Sequence, residues 1–493
     1  MAFLYLIVIT FWFRMGNIFL FSLLIFGEVF HLWQILTYLS TVWNLNKIKP
    51  ANPEFNPPID IFITVCGEPK EVVRRTVEAA KKQNYPDYGV FILNDGFVAG
   101  IENWMEIEYL AKEMGVICIT RKISGGAKAG NINNALELTG RPFIAVLDAD
   151  MVPQSNFLKE LSPYMADPAV AFVQSPQYYK NHTLNQVTGG AWEQQELFFG
   201  PICEGKNQLN SVFMCGTNML IRRQALEQVG GMCEDNIAED FMTSLFVHER
   251  GWKSIYVPEV LAKGLAPEDF LSYYKQQFRW ARGSLEILFR FNPIFRRGLT
   301  WQQKIQYLAS ASYYLSGLVV LINIALPLVY LITGESPVQV STMALAAIFI
   351  PHICLTAYVL TSSNDSKYTF RALSFSNGSF IIFLKALWSV LTKQKNSFSV
   401  TSKVALDGNF TYLVSPHLSY IGLSIVALLI GWSREGVSPS LLSNLSWVLF
   451  NIATFIPFMQ AAIPNLSFNL ELVPSVLRTY ASRSYNFISN LMI

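Results

Sequence analysis

Residues 143–150 read Phe-Ile-Ala-Val-Leu-Asp-Ala-Asp, and this stretch decides the fold. Five consecutive apolar residues are typical of a strand that is buried on both faces, as the strands of parallel sheets are. Asp148 and Asp150 follow at alternate positions where the strand ends. Carboxylate oxygens at this spacing can hold Mg²⁺ or Mn²⁺, which in turn bridges a diphosphate. The alternative is an ordinary strand-end turn, in which Asp is common.

Three further apolar runs precede this stretch, at Ile59–Val65, Val90–Leu93 and Gly115–Thr120, and a helix is predicted at Glu71–Gln83. Short apolar strands that alternate with amphipathic helices indicate an α/β domain with a buried parallel sheet. Ligands of such sheets lie beyond the carboxyl ends of the strands. The second run ends in Asn-Asp-Gly, so Asp95 is expected near the two aspartates.

The composition of the whole chain indicates a membrane protein with a polar insert. Of 493 residues, 52% are hydrophobic and 15% are charged, whereas soluble domains are nearer a quarter charged. No nucleic-acid partner is expected, because 37 basic and 35 acidic residues nearly cancel. A membrane-spanning helix needs about 20 apolar residues. Such segments are predicted at Ile18–Trp43, Ile305–Ile332, Met343–Leu360, Leu413–Trp432 and Leu441–Ile463, with a shorter first span at Met1–Phe13.

Loop charges orient these spans in a plasma or inner membrane, since cytoplasmic loops carry an excess of Lys and Arg. Lys47 and Lys49 follow the second span, and several lysines lie between the fourth and fifth, whereas the loop at 333–342 has neither Lys nor Arg. The basic loops and the long middle region are therefore expected in the cytoplasm. The predicted organisation is N-terminal transmembrane helices at 1–45, a cytosolic domain at 55–290, transmembrane helices at 300–465 with a cytosolic loop at 396–410, and a tail at 466–493.

Two further stretches of the middle region carry groups suited to catalysis. Ser124–Asn131 is rich in small residues that let backbone N–H groups approach phosphate, and Lys128 adds a positive charge; a flexible helix start is the alternative. Glu239 and Asp240 begin the helical run Phe241–Arg250, where either is a candidate general base or N-cap. A helix N-terminus favours the ionised carboxylate, so a base at this position needs a partner or an apolar pocket to raise its pKa.

A predicted helix dense in aromatic residues carries Gln276, Arg279 and Trp280. An indole face stacks on the apolar face of a pyranose, while Gln and Arg bind hydroxyl or phosphate groups. Aromatic residues at a membrane interface are the alternative interpretation.

In their order and spacing, these motifs resemble those of the processive family 2 glycosyltransferases, most closely the cellulose-synthase-like catalytic subunits. The resemblance implies a multi-pass α-helical membrane protein with an inserted cytosolic α/β catalytic domain of the GT-A, Rossmann-like type. The matching pieces are Asn94-Asp95-Gly96, Lys128-Ala129-Gly130-Asn131, Asp148-Ala149-Asp150, Cys215-Gly216-Thr217-Asn218, Ala238-Glu239-Asp240, Gln276…Arg279-Trp280 and Phe398-Ser399-Val400-Thr401-Ser402-Lys403.

The resemblance also implies a role for each candidate site residue. Asp240 is the expected general base, with Glu239 in support, and Asp148 and Asp150 are the expected metal ligands. Phe398, Thr401 and Lys403 belong to a loop that resembles the family's gating loop over the donor. The implied nucleotide-binding residues are Asp95, Lys128, Asp148, Arg279, Thr401 and Lys403; the implied acceptor-binding residues are Gln276, Trp280, Cys215, Gly216 and Phe398.

The implied activity is inverting transfer of glucose from UDP-glucose to a growing β-glucan, with β-1,4 linkage favoured and Mg²⁺ or Mn²⁺ as cofactor. The implied partners are the UDP-sugar, the polysaccharide acceptor, the lipid bilayer and a possible accessory subunit. Alternatives are a β-1,3- or mixed-linkage glucan synthase, an N-acetylglucosamine-polymer synthase, and a non-processive transferase that glycosylates a lipid once.

Three positions depart from the family pattern: Asn94 replaces Asp, Ala238 replaces Thr, and Ser402 replaces Pro. Asp95 and both carboxylates of the Glu239–Asp240 pair are retained, so nucleotide contact and the base are expected to survive. Residues 464–493 are too few for a PilZ domain, and no direct control by cyclic-di-GMP is expected.

Overall fold

A computed structural model describes residues 1–362, 369–394, 406 and 408–463. Its centre is a seven-stranded sheet in the order β10-β7-β9-β5-β2-β3-β4. A three-stranded sheet, β6-β11-β8, lies beside it, and β1 pairs with β12. The strands are β1 Arg14–Met15, β2 Ile59–Val65, β3 Tyr88–Asn94, β4 Ile117–Thr120, β5 Phe143–Asp148, β6 Val152–Pro153, β7 Val170–Gln174, β8 Tyr178–Tyr179, β9 Met219–Arg222, β10 Lys253–Tyr256, β11 Ala262–Gly264 and β12 Val338–Gln339.

α-Helices lie between the strands and in the apolar segments of the chain. In the order of the sequence they are α1 Ala2–Ile7, α2 Ile18–Val42, α3 Lys70–Ala80, α4 Met105–Met114, α5 Ala127–Leu138, α6 Phe157–Leu161, α7 Gln186–Leu197, α8 Cys203–Gln208, α9 Arg223–Glu227, α10 Glu239–Glu249, α11 Phe270–Arg290, α12 Trp301–Ser312, α13 Ser316–Thr333, α14 Thr342–Ser362, α15 Phe370–Gly378, α16 Phe380–Leu391, α17 Ser415–Glu435 and α18 Pro439–Ala462.

The strand β2 lies in the middle of the sheet and is buried along its whole length. Its side chains alternate between two apolar layers, with Ile61 and Ile63 in one and Phe62 in the other, as the period of a strand requires. Parallel pairing aligns Val65 with Asn94. On the other side of β2, Thr64 aligns with Asp148. The carboxyl ends of β2, β3 and β5 therefore meet at one edge of the sheet.

The sheet is mixed, whereas the sequence predicts a parallel one. β9 runs antiparallel between β5 and β7, with Val146 opposite Met219 and Val173 opposite Leu220. The prediction was wrong because β7, β9 and β10 are runs of four or five residues that periodicity does not distinguish from other buried segments. The strands β2, β3, β4 and β5 were predicted, with their ends shifted by no more than two residues.

Five helical segments of the described chain are long and apolar enough to cross a membrane: Ile18–Val42, Trp301–Thr333, Phe370–Leu391, Ser415–Glu435 and Pro439–Ala462. The predicted span at 343–360 is not among them, because the apolar part of α14 covers only Thr342–Thr356. The expectation of a first span at 1–13 is corrected for the same reason, because the apolar helix there covers only Ala2–Trp12. At 1.5 Å per residue that helix is roughly 16 Å long, about half of a bilayer core.

The segment Phe370–Leu391 was not predicted as a helix. It consists of α15 and α16, which lie against α7 and α11 of the middle region as well as against α13 and α18. Polar contacts fasten it to α11: the Arg282 guanidinium donates to the Ser389 hydroxyl at 2.6 Å, and the Tyr273 and Ser379 hydroxyls are 3.1 Å apart. The helix that carries the predicted acceptor residues is thereby joined to the apolar bundle.

Candidate active site

A cleft of about 450 Å³ opens at the sheet edge where β2, β3 and β5 end. It gathers residues that lie almost 200 positions apart in the chain. Phe398, Thr401 and Lys403 lie outside the described residues. The predicted site residues that the structure describes all line this cleft: Asp95, Lys128, Asp148, Asp150, Cys215, Gly216, Glu239, Asp240, Gln276, Arg279 and Trp280.

One end of the cleft is formed by a buried ion pair between Asp95 and Arg121. The Arg121 guanidinium donates to both oxygens of Asp95, at 2.8 and 2.7 Å. It also donates to the carbonyl oxygens of Gly125, which lies just before α5, and of Ala127, the first residue of α5. Burial raises the pKa of Asp95, and Arg121 opposes that rise. Arg121 therefore fixes both the Asp95 carboxylate and the backbone at the start of α5.

Arg121 was missed by the sequence analysis, although it directly follows β4 and so lies at the same sheet edge. Asn94, by contrast, has a structural role: its side-chain oxygen accepts from the Gly96 N–H at 2.9 Å, and its amide donates to the Trp104 carbonyl at 3.0 Å. An Asn maintains this turn without a carboxylate, which accounts for Asn94 in place of Asp.

The strand-end aspartates lie at the middle of the cleft. An oxygen of Asp148 contacts the Lys128 ammonium, and the Asp148 backbone N–H donates to the Thr217 hydroxyl at 2.9 Å. Asp150 is buried, and its carboxylate accepts from the Leu265 N–H at 3.0 Å. Among the described residues, no group of three or more His, Cys, Asp and Glu side chains is placed to hold a metal ion. Two carboxylates fit Mg²⁺ or Mn²⁺ when substrate phosphates and water complete the coordination.

Asp240 and Glu239 are the first two residues of α10, and neither is its N-cap, which is Ala238. An oxygen of Asp240 accepts from the adjacent Phe241 N–H at 2.7 Å. Burial raises the pKa of Asp240 to about 7, and the neighbouring Glu239 carboxylate adds to the rise. Burial also raises the pKa of Glu239. The helix N-terminus alone favours the opposite shift, so desolvation brings the pKa of Asp240 close to neutral, the range in which a carboxylate can exchange a proton.

The helix α11 contributes the opposite wall through Gln276, Arg279 and Trp280. Gln276 is buried, and its side-chain oxygen has no hydrogen-bond partner among the described residues. An unsatisfied acceptor in a cleft is a ready partner for a ligand hydroxyl. Trp280 is half-buried beside it, so an indole face and an amide oxygen border the same space.

Two protein-family models match the residues that form the sheet and the cleft. A model of the glycosyltransferase-like family 2 matches residues 57–283, and a cellulose synthase model matches residues 227–430. Together they cover the sheet, the cleft and much of the apolar bundle. The chain belongs to the cellulose-synthase-like glycosyltransferases of family 2.

Two relatives illustrate the likeness. A putative cellulose synthase 2 of Komagataeibacter xylinus is 30% identical over 453 residues, which cover 87% of this chain and 29% of that protein. A UDP-forming cellulose synthase catalytic subunit of Pseudomonas fluorescens is 30% identical over 447 residues, which cover 85% of this chain and 58% of that protein. The chain thus spans little more than half of the length of the second relative, and less of the first.

The fold has a counterpart among solved structures. A mannosyltransferase of Pyrobaculum calidifontis, determined with GDP-mannose and Mn²⁺, superimposes with a TM-score of 0.55 at 16% identity, covering 76% of this chain and 100% of that one. At this identity the likeness concerns the fold alone. It supports a GT-A-type fold for this chain.

The loop from Cys215 to Asn218, a family motif, is held by a glutamine that the sequence analysis missed. Gln174 is fully buried at the end of β7. Its side-chain oxygen accepts from the Cys215 N–H at 2.8 Å, and its amide donates to the carbonyls of Ser175 and Thr217 at 2.7 and 2.8 Å. Gln177 adds a bond from its amide to the Cys215 carbonyl at 2.8 Å. Both ends of the loop are therefore fixed to β7 and the segment after it.

Within that loop, Gly216 lies between the two charged sides of the cleft. Its carbonyl accepts from the Lys128 ammonium at 2.7 Å. A Cβ atom at this position would lie 3.1 Å from an oxygen of Asp240 and 3.5 Å from the Lys128 nitrogen, and the backbone φ is +80°. Only a residue without a side chain lets the loop approach Asp240 this closely without strain.

Proposed function

We propose that this chain is a processive, inverting glycosyltransferase that polymerises glucose from UDP-glucose into a β-1,4-glucan. The observation that carries the proposal is that Asp240, the aspartates at the end of β5 and Trp280 line one cleft. A base, a diphosphate site and a sugar platform are the three parts that such a transfer needs. The names of the relatives, cellulose synthases and a UDP-forming catalytic subunit, support glucan as product and uridine diphosphate as leaving group.

The donor would lie along the sheet edge, with its uracil at the Asp95–Arg121 end and its diphosphate near Lys128. Arg279 lies on the opposite wall and adds a second positive charge. When bound by Asp148 and Asp150, Mg²⁺ or Mn²⁺ would stabilise negative charge on the diphosphate. The backbone at the start of α5 offers N–H groups to the same phosphates.

The chemical step requires one base. Asp240 takes the proton of the acceptor hydroxyl, whose oxygen forms a bond to the anomeric carbon from the face opposite UDP. The bond between that carbon and the diphosphate oxygen breaks, and its electron pair leaves with UDP. Direct displacement converts the α-linkage of the donor into a β-linkage, without an enzyme nucleophile. Gln276 and Trp280 hold the terminal sugar of the acceptor during this step.

We further propose that residues 55–290 form the catalytic domain on the cytoplasmic side and that helices within 300–465 conduct the polymer outward. The charges of the loops support this orientation. A polymer of hydroxyl groups cannot cross hydrocarbon unaided. The joining of α11 to α16 supports a path from the Trp280 platform into the apolar bundle.

The proposal is tested with purified protein in lipid vesicles, Mg²⁺ or Mn²⁺, and radiolabelled UDP-glucose or UDP-N-acetylglucosamine. We expect a polymer from UDP-glucose that a β-1,4-specific glucanase digests. Digestion only by a β-1,3-specific enzyme would change the linkage, and a lipid that carries one sugar would favour the non-processive alternative. Absence of any sugar transfer from either donor would reject the proposed function.

Replacing Gly216 by alanine is expected to lower the rate of polymer formation at least tenfold. The new methyl group would lie 3.1 Å from an oxygen of Asp240. The backbone at this position also has a φ of +80°, a left-handed conformation that alanine rarely adopts. Steady-state rates with UDP-glucose measure the effect. Gly100→Ala is the matched control, because Gly100 also has positive φ (+69°) but meets no atom within 4 Å. Equal losses in both variants would mean that strain alone, not contact with the base, is responsible.

Replacing Gln174 by leucine is expected to lower polymer formation about tenfold while UDP affinity changes less than threefold. The substitution removes four hydrogen bonds from the backbone in and around the Cys215–Asn218 loop, which touches the acceptor side of the cleft. Gln224→Leu, an exposed change on α9, should have no effect. A parallel loss of UDP affinity would contradict the assignment of this loop to the acceptor.

A further inference from the structure

Negative charge predominates in the middle of the cleft. The carboxylates of Asp148, Asp150, Glu239 and Asp240 line it there together with two cations, Lys128 and Arg279. Ionised carboxylates that share a desolvated site repel one another unless a cation lies among them. The described cleft therefore needs positive charge at its centre before any substrate binds.

Lys128 supplies that charge. Its ammonium contacts Asp148 and donates to the Gly216 carbonyl at 2.7 Å. Burial lowers the pKa of Lys128, but the carboxylates of Asp148, Glu239 and Asp240 outweigh burial and raise it, so the side chain is cationic. Its own carboxylate contact is with one of the two aspartates that suit a divalent cation.

Lys128 and a divalent cation therefore compete for Asp148. An ammonium and a divalent cation placed on the same carboxylate repel each other strongly in a desolvated cleft. With only two aspartates available, metal affinity depends on phosphate oxygens that complete the coordination. Lysine has a flexible four-carbon stem, so its charge can move by several ångströms without backbone change.

We propose that Lys128 is an exchangeable counter-ion, which holds Asp148 in the empty cleft and transfers to the diphosphate when a divalent cation binds Asp148. The proposal rests on the proposed function only in requiring a diphosphate ligand. Metal and nucleotide then bind with positive coupling, because each removes an obstacle to the other. The empty enzyme keeps its carboxylates neutralised without a resident metal.

The first measurement uses the unmodified protein and the Mn²⁺ electron paramagnetic resonance signal. We expect saturating UDP to tighten Mn²⁺ binding at least tenfold, after correction for Mn²⁺ bound by free UDP. Equal Mn²⁺ affinity with and without UDP would overturn the proposal. This measurement needs no sugar transfer and no altered side chain.

The second measurement replaces Lys128 by methionine, which has similar length and no charge. In the absence of nucleotide, we expect the variant to bind Mn²⁺ about tenfold more tightly than the unmodified protein. We also expect UDP to bind more weakly and the coupling between the two to fall severalfold. Lys122→Met, an exposed change six residues earlier, should leave all three quantities unchanged. Unchanged or weaker Mn²⁺ binding in the Lys128 variant would overturn the proposal.

Thermal unfolding provides a readout that does not depend on nucleotide. Without Lys128 the carboxylates lose one of the two cations that line the middle of the cleft, so the variant should melt at lower temperature than the unmodified protein. Mn²⁺ alone should restore most of that loss in the variant, while it stabilises the unmodified protein little. If metal and nucleotide binding are coupled but no polymer is made, the proposed function fails and this inference stands. If polymer is made but the two binding steps are not coupled, this inference fails and the proposed function stands.

Discussion

Replacing Asp240 by asparagine is expected to lower the turnover number about 10³-fold while UDP affinity stays within threefold. A positioned general base contributes on the order of 10²–10⁴ to a rate, and asparagine has nearly the same shape but cannot take the proton. UDP lacks the acceptor hydroxyl on which the base acts, so its binding should not sense the change. Turnover with UDP-glucose and calorimetric titration with UDP measure the two quantities.

The unmodified enzyme should also lose activity as the medium becomes acidic. Asp240 acts only when ionised, and burial together with Glu239 raises its pKa to about 7. Below that value the protonated fraction grows, so kcat/KM should fall about tenfold per pH unit at the acidic end. The residual activity of Asp240→Asn should lack this acidic limb.

Asp235→Asn is the matched control for this prediction, because Asp235 is exposed and precedes the cleft residues by only a few positions. It should leave both rate and pH profile unchanged. If Asp240→Asn retains more than a tenth of the activity, the base has been assigned to the wrong residue. Glu239, its neighbour in the same cleft, would then be the next candidate.

Replacing Arg121 by methionine is expected to destabilise the catalytic domain by about 3–5 kcal/mol and to abolish measurable UDP binding. The Asp95 carboxylate accepts two charge-assisted hydrogen bonds from Arg121 in a buried position. Removing one partner of such a pair leaves an uncompensated buried charge, which accounts for a loss of this size. The carbonyls of Gly125 and Ala127 lose their donor as well, so the loop before α5 loses its anchor.

The unfolding temperature in detergent measures the first effect, and a loss of 3–5 kcal/mol corresponds to roughly 6–20 °C for a domain of this size. The double variant Arg121→Met with Asp95→Asn should recover part of the stability, because the unpaired charge is gone, but not UDP binding. Arg75→Met, an exposed change on α3, should alter neither. A double variant as unstable as Arg121→Met alone would mean that the loop contacts, not the charge, determine the loss.

Much of the candidate site could be predicted from the sequence, because the carboxyl ends of parallel strands lie at the same edge of a sheet. Once a parallel arrangement of β2, β3 and β5 is inferred from their apolar runs, Asp95 and Asp148 must share one edge, and the register confirms that they do. Local signals likewise placed Glu239 and Asp240 at a helix start. Motif order extended this to the acceptor helix α11.

Other parts of the site depend on contacts between distant segments, for which no local pattern exists. Arg121 is one of many arginines in the sequence, and only the folded chain places it on Asp95. Gln174 is a polar residue at the end of an apolar run, and its four partners lie one to 44 positions away. The antiparallel course of β9 and the seating of α15 and α16 on α7 and α11 are of the same kind.

The amino-acid sequence was enough to predict that part of the chain lies in lipid and part in water, that the polar part is an α/β domain, and which carboxylates lie at the edge of its sheet. These features follow from the composition and periodicity of short segments, which can be recognised without knowing how distant segments pack. Only the folded structure decides the acid–base character of Asp240. A helix N-terminus favours an ionised Asp240, yet burial raises its pKa to about 7. Desolvation is the sum of everything packed around a group, so it exists only once the chain has folded.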